Sequence, residues 1–159
     1  MPKKKVALAI NYDYHDYGGM LQAFATQIAL SKFGVDSEAI DFSCLKSDIN
    51  KRKWKYFLSN VSDLSILKEK GRVLGKKLRM KVDSALGKNM QLRDAAFDQF
   101  CKARFKVTTA YESWDALNVG CRDYDAVIVG SDQLWLPSNV EGDYYTLNFV
   151  PNDVKKIAY

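Results

Sequence analysis

The sequence has one histidine and three cysteines in 159 residues. Cys44, Cys101 and Cys121 are an odd number with no CxxC pair, so neither a disulfide framework nor a zinc site is suggested. His15 stands alone, and no GxSxG elbow is present, which argues against triad chemistry. Long apolar runs are missing too. The basic start "MPKKKVALAINYDY" has an apolar stretch of five residues, Val6 to Ile10, short of the roughly 7–15 of a signal-peptide core. Nothing approaches the ~20 apolar residues of a membrane span. The chain is expected in the cytoplasm, or peripherally at the inner face of the membrane. With only 9 Gly and 3 Pro and no repeat, low-complexity architectures are excluded as well. What remains is an ordinary globular composition, 47% hydrophobic and 27% charged, at a length that fits one domain and buries roughly 68–70% of its unfolded surface.

The hydrophobic pattern predicts an α/β fold. Residues 5–10, "KVALAI", read as a buried strand whose apolar run breaks at Asn11. A polar loop, "NYDYHDYGG", leads into "GMLQAFATQIALSKFG". There Met20, Phe24 and Ile28 make a helical stripe with Leu21, Ala25 and Ala29 beside it, and Gly34 is a fitting C-terminal cap. "SEAIDF" supplies a second strand. Strand, helix and strand in about 40 residues is a βαβ unit, hence a Rossmann-like parallel sheet with flanking helices. Later come a helix over 90–103 using Leu92, Ala96, Phe97, Phe100 and Ala103, a short helix capped by Ser113, the continuous strand "DAVIVG", and the start of another strand in "VKKIAY".

Charge is uneven. Residues 46–93 hold 14 Lys or Arg against 4 Asp or Glu, net +10, which leaves −5 for the remainder. This basic insertion is predicted to be helical, with Leu64, Leu67, Leu74, Leu78 and Val82 as an apolar stripe. Its simplest reading is a solvated helix face. Trp54, Tyr56 and Phe57 among Lys51, Arg52, Lys53 and Lys55 also suit an anionic membrane surface or, as the lesser reading, nucleic acid phosphates.

Ligands of such sheets sit beyond the carboxyl ends of the strands, so two stretches qualify as a site. In "DYGGMLQ", Gly18 and Gly19 would let amides at a helix start approach an anion, and Gln22 lies in the first turn. Paired glycines also simply permit a tight turn. In "GSDQLW", Gly130 ends the strand, Ser131, Asp132 and Gln133 offer groups that orient sugar hydroxyls, and Trp135 could stack on a ring or fill the core. His15 could act as acid, base or phosphate ligand, though a lone loop histidine is more often solvated.

Together, "DYGGMLQAFATQIALSKFG", "AIDF", "FDQF", "YDAVIVGSDQLWLP", "YYTLNFVP" and "KKIAY" resemble, in that order, the polysaccharide pyruvyl transferase family. The resemblance implies transfer of a pyruvyl ketal group from phosphoenolpyruvate, a co-substrate, to a sugar of a bacterial surface polysaccharide or its lipid-linked precursor, with no cofactor or metal. It also implies a fold of two facing Rossmann-like halves, similar to the GT-B arrangement. On that likeness residues 1–159 are the first, acceptor-side half, inactive alone, and a partner would supply the second. Positions matching the family are Tyr17, Gly18, Leu21 and Gln22, then Gly130, Ser131, Asp132, Gln133, Trp135 and Pro137. Asp132 is the one candidate for catalysis. Asp16 replaces a usual asparagine, and its carboxylate repels a phosphate unless paired; Leu136 replaces another asparagine. Two other expectations remain beside this one: a non-catalytic sugar or nucleotide-sugar binding module, and nucleic-acid binding through the basic segment.

Overall fold

The computed structural model describes residues 3–60, 84–130 and 133–159, with the backbone alone for residues 84–86 and 133. Strand β1 (Lys5–Ala9) buries Val6, Ala7, Leu8 and Ala9, the continuous apolar run of a strand covered on both faces. It is central. β2 (Asp36–Ala39) pairs on one side, β3 (Ala126–Val129) on the other, and β4 (Lys155–Ala158) extends the sheet beyond β3. The order is β2-β1-β3-β4, all parallel, with Leu8 between Ala39 and Ile128. Beyond β2, Val107 adds a single parallel bridge to Ala39. This is the Rossmann-like α/β arrangement that the sequence pattern predicts.

Helix α1 (Tyr17–Lys32) connects β1 to β2. Asp16 caps its start: its backbone is extended and its carboxylate accepts the Gly19 N–H at 2.8 Å. At the other end Gly34 takes φ +73°, the Gly34 N–H donates to Ser31 O, and the Val35 N–H donates to Leu30 O. That double bond pattern is a Schellman cap, and it needs a residue that enters the left-handed region without strain.

The inward face of α1 differs from the predicted stripe. Met20 and Ala23 are buried and Phe24 is half-buried, but Leu21 and Ile28 are exposed, and Gln27 lies inside. The reason is local. The Gln27 amide Nε2 donates to Lys106 O at 2.7 Å, while its Oε1 accepts the Lys106 N–H at 3.2 Å, so the buried amide is satisfied at both ends. Lys106 O also accepts the Ala39 N–H, so this glutamine ties α1 to the segment bridging β2.

After β2 a 3₁₀ turn leads into α2 (Lys46–Ser59). The predicted stripe through Leu64, Leu67, Leu74, Leu78 and Val82 lies outside the described residues. Helix α3 (Ser84–Arg104) begins six residues before the predicted 90–103. It turns Phe97, Phe100 and Cys101 inward; Leu92, Ala96 and Ala103, placed on the inward stripe by the sequence reading, are exposed. Helix α4 (Trp114–Gly120) is capped as expected by Ser113, whose hydroxyl accepts the Ala116 N–H. Helix α5 (Pro137–Glu141) opens on a proline at its first position, where no N–H is needed.

The segment between α5 and β4 enters the core. Tyr144 is fully buried, stacked on Phe149 at 5.6 Å and leaning on Phe42 at 4.5 Å. Leu147 is also buried, at φ +59°, a conformation that costs a bulky residue roughly 1–2 kcal/mol. Asp143, likewise at positive φ, anchors the turn by accepting from the Thr146 hydroxyl at 2.7 Å and the Asn148 amide at 2.6 Å.

Candidate functional site

The chain leaves β1 toward β2 on one side and later returns to β3 on the other. Between the carboxyl ends of β1 and β3 lies the crevice where open parallel sheets bind ligands. A cleft of about 420 Å³ occupies it. Ile10 and Asn11 come from the end of β1, Tyr14 and Asp16 from the loop, Gly18, Gly19 and Gln22 from the first turns of α1, Gly130 and Leu134 from beyond β3, and Tyr159 from beyond β4.

Its chemistry is that of neutral hydrogen-bonding groups and one carboxylate. Asn11 and Gln22 bring amides, Tyr14 and Tyr159 bring phenols, and Asp16 brings one carboxylate. Among the described residues lining it there is no lysine, arginine or histidine. The start of α1, which the sequence reading offers to an anion, is occupied by the chain's own carboxylate: Asp16 Oδ2 takes the Gly19 N–H and adds a negative charge beside the remaining amides. Lys46, at the start of α2, is paired with Asp13.

Tyr159 reaches the cleft from the far strand. Its backbone N–H donates to Val129 O at 3.3 Å, and its hydroxyl lies 2.5 Å from Thr26 Oγ. The Thr26 hydroxyl donates to Gln22 O, so the Tyr159 O–H is the donor to Thr26. This relay joins the sheet edge to the helix that presents Gln22.

A family model described as polysaccharide pyruvyl transferase matches residues 16–159. The chain belongs to that family. Comparison with curated proteins and with solved structures gives no match. In this polysaccharide pyruvyl transferase relative the matched span holds most of the cleft, from Asp16 to Tyr159.

The structure brings Gly18, Gly19, Gln22 and Gly130 together around one cleft, although more than a hundred residues separate the two stretches. Tyr17 lies elsewhere: its ring is 4.8 Å from that of Phe97, and it lines a separate apolar hollow of about 220 Å³ between α1 and α3. Trp135 is 42% exposed rather than filling the core, and its indole N–H closes back on Gly130 O at 3.1 Å. Ser131, Asp132 and the side chain of Gln133 lie outside the described residues. His15 is held rather than freely solvated. Its Nε2 is 2.9 Å from Asp98, its Nδ1 is 3.2 Å from Asp94, and its ring stacks over Phe97 at 5.5 Å.

Asn11, Tyr14, Leu134 and Tyr159 are lining residues that sequence reasoning did not name as site residues. The break of the first apolar run at Asn11 was the available signal for one of them. No local pattern marks Tyr159, because its place depends on β4 pairing with β3 and reaching Thr26. Among the described residues no group of three or more metal-binding side chains occurs, and no helix is long and apolar enough to cross a membrane.

Proposed function

We propose that this chain forms the acceptor side of a transferase that moves the pyruvyl unit of phosphoenolpyruvate onto a sugar of a bacterial surface polysaccharide or its precursor, in the cytoplasm. The observation that carries the reading is that the cleft, in a member of this family, is rich in amides and phenols and holds no cation among the described lining residues. Amide and phenol groups suit sugar hydroxyls, whereas a phosphoenolpyruvate anion would meet Asp16 and no cation among the described lining residues.

In the overall reaction one sugar hydroxyl oxygen bonds to the central carbon of the enol phosphate and the methylene carbon gains a proton. A second hydroxyl oxygen then displaces phosphate, leaving a ketal, and the remaining proton departs with the phosphate. The contribution assigned to this wall is orientation: Asn11 and Gln22 fix the ring so that two hydroxyls face the incoming carbon, and the tyrosines shield one side from water. The cations that hold phosphoenolpyruvate belong, on this reading, to an opposing wall, so that these 159 residues alone form no ketal.

Ligand-observed NMR of the purified chain tests the assignment, with a neutral oligosaccharide and phosphoenolpyruvate in separate samples. Transfer to the glycan without transfer to phosphoenolpyruvate is expected. Phosphoenolpyruvate binding that shifts the Gly18 and Gly19 amides, or ketal formation by the chain alone, overturns it.

A further inference from the structure

The outward face of α2 combines exposed cations with large exposed apolar side chains. Asp48 is the one acidic residue of Lys46–Ser59, against five cations. Two of these cations are engaged within the fold: Lys46 with Asp13, and Arg52 with Asp48 and Asp143. Lys51 and Lys55 are exposed one turn apart. Between and beyond them on the same side stand Trp54, 59% exposed, and Leu58, 69% exposed, again one turn apart. Large apolar side chains flanked by lysines on one helix face have little to gain from water.

The neighbouring surface continues in kind. Helix α5 packs against α2, and the stretch that opens it also exposes Leu136 and Val140, at 52% and 41%. It begins two residues beyond Trp135, whose indole is tied to Gly130 at the cleft.

We propose that the outward face of α2, with Trp54 and Leu58 as its apolar contacts and Lys51 and Lys55 as its cations, docks this protein on an anionic lipid surface. The charge is complementary to acidic headgroups, and a tryptophan beside lysines on one helix face is the composition of a helix lying in the membrane interface. Such docking would hold the acceptor cleft beside a membrane through the α2–α5 pair. It does not depend on what the cleft binds.

The test is co-sedimentation of the full 159-residue chain with vesicles of phosphatidylcholine alone and of phosphatidylcholine mixed with phosphatidylglycerol. Binding to the mixed vesicles only, weakening as salt is raised, is expected. Lys51→Gln with Lys55→Gln should lower the partition coefficient about fivefold per lysine. Trp54→Ser with Leu58→Ser should lower it about tenfold or more through lost apolar burial. Unchanged circular dichroism and melting temperature are expected of the lysine variant, and an unchanged far-ultraviolet circular dichroism spectrum of the Trp54 and Leu58 variant, whose Trp54 ring also packs on Phe57, shows that its helix persists. Trp54→Phe should abolish the part of the tryptophan emission that brominated lipid quenches. Absence of binding to anionic vesicles at low salt, undiminished binding by both double variants, or binding of nucleic acid in place of vesicles overturns the proposal.

Discussion

Replacing Gln27 by methionine keeps the volume of a buried side chain and removes both of its hydrogen bonds. Gln27 is 7% exposed, and its partners are the N–H and carbonyl of Lys106, 79 residues away. The two partners are not equally hurt. Lys106 O keeps the Ala39 N–H, but the part-buried Lys106 N–H loses its protein partner, and a hydrogen bond lost in this way costs about 1 kcal/mol. With the second bond lost from the carbonyl, a total of about 2 kcal/mol is expected. For a chain of this size that is a fall of roughly 4–8 °C in melting temperature. In urea the midpoint should drop with an unchanged slope, since the surface exposed on unfolding is the same. Gln27→Glu should be worse than Gln27→Met, because one carboxylate oxygen would then face the Lys106 carbonyl. Hydrogen exchange at the Ala39 and Thr108 amides, which flank the Val107 bridge, should accelerate in both variants. A methionine variant within about 0.5 kcal/mol of the parent would refute the account, since surface-like tolerance is incompatible with a pinned buried amide.

Three further outcomes follow from the same geometry. Asp16→Asn should keep the α1 cap and leave stability within a few tenths of a kcal/mol, while Asp16→Ala should cost about 1 kcal/mol in chemical denaturation. Both variants, unlike the parent, should show Gly18 and Gly19 amide shifts on adding inorganic phosphate, because the carboxylate guarding those amides is gone. Tyr159→Phe should lower stability by about 1 kcal/mol through loss of the Thr26 hydrogen bond, and Tyr159→Ala should also weaken glycan binding in NMR titrations. The Trp114 indole N–H, 2.7 Å from Asp48, and the Arg52 guanidinium hold the Asp48 carboxyl below its ordinary value. A lowered folded-state value stabilises above the ordinary carboxylate range, and that stability is lost as pH falls through the folded value. Asp48→Asn should therefore be less stable than the parent at neutral pH, with the gap narrowing in acid.

The strands and their order along the chain were legible because a central parallel strand is an uninterrupted apolar run, as in "VALAI" and "AVIV". Gly34 and Ser113 were legible as caps for the same kind of reason: each acts on residues within one turn of itself. The inward face of α1 was not. Periodicity ranks Ile28 above Gln27, and only the backbone of Lys106, brought in by the fold, reverses that ranking. The two stretches of the cleft could be named separately, since each ends a strand. Their lack of an anion-binding character could not, because it depends on Asp16 turning back onto Gly19 and on Tyr159 arriving from the far strand.

The central position of β1 also governs when the site can exist. Val6 pairs with Ala126, and the Lys5 N–H donates to Asp125, 120 residues further along the chain. Pairings of such long sequence separation close slowly, because the intervening chain must be ordered first. During synthesis, the loop after β1 leaves the ribosome long before Gly130 and Tyr159 exist to face it. For that interval the apolar "VALAI" strand has only β2 beside it, a window open to aggregation or to a chaperone. Assembly of the cleft and pairing of β1 with β3 are thus one late event, and a nascent chain halted before β3 would carry the first stretch of the site without the second.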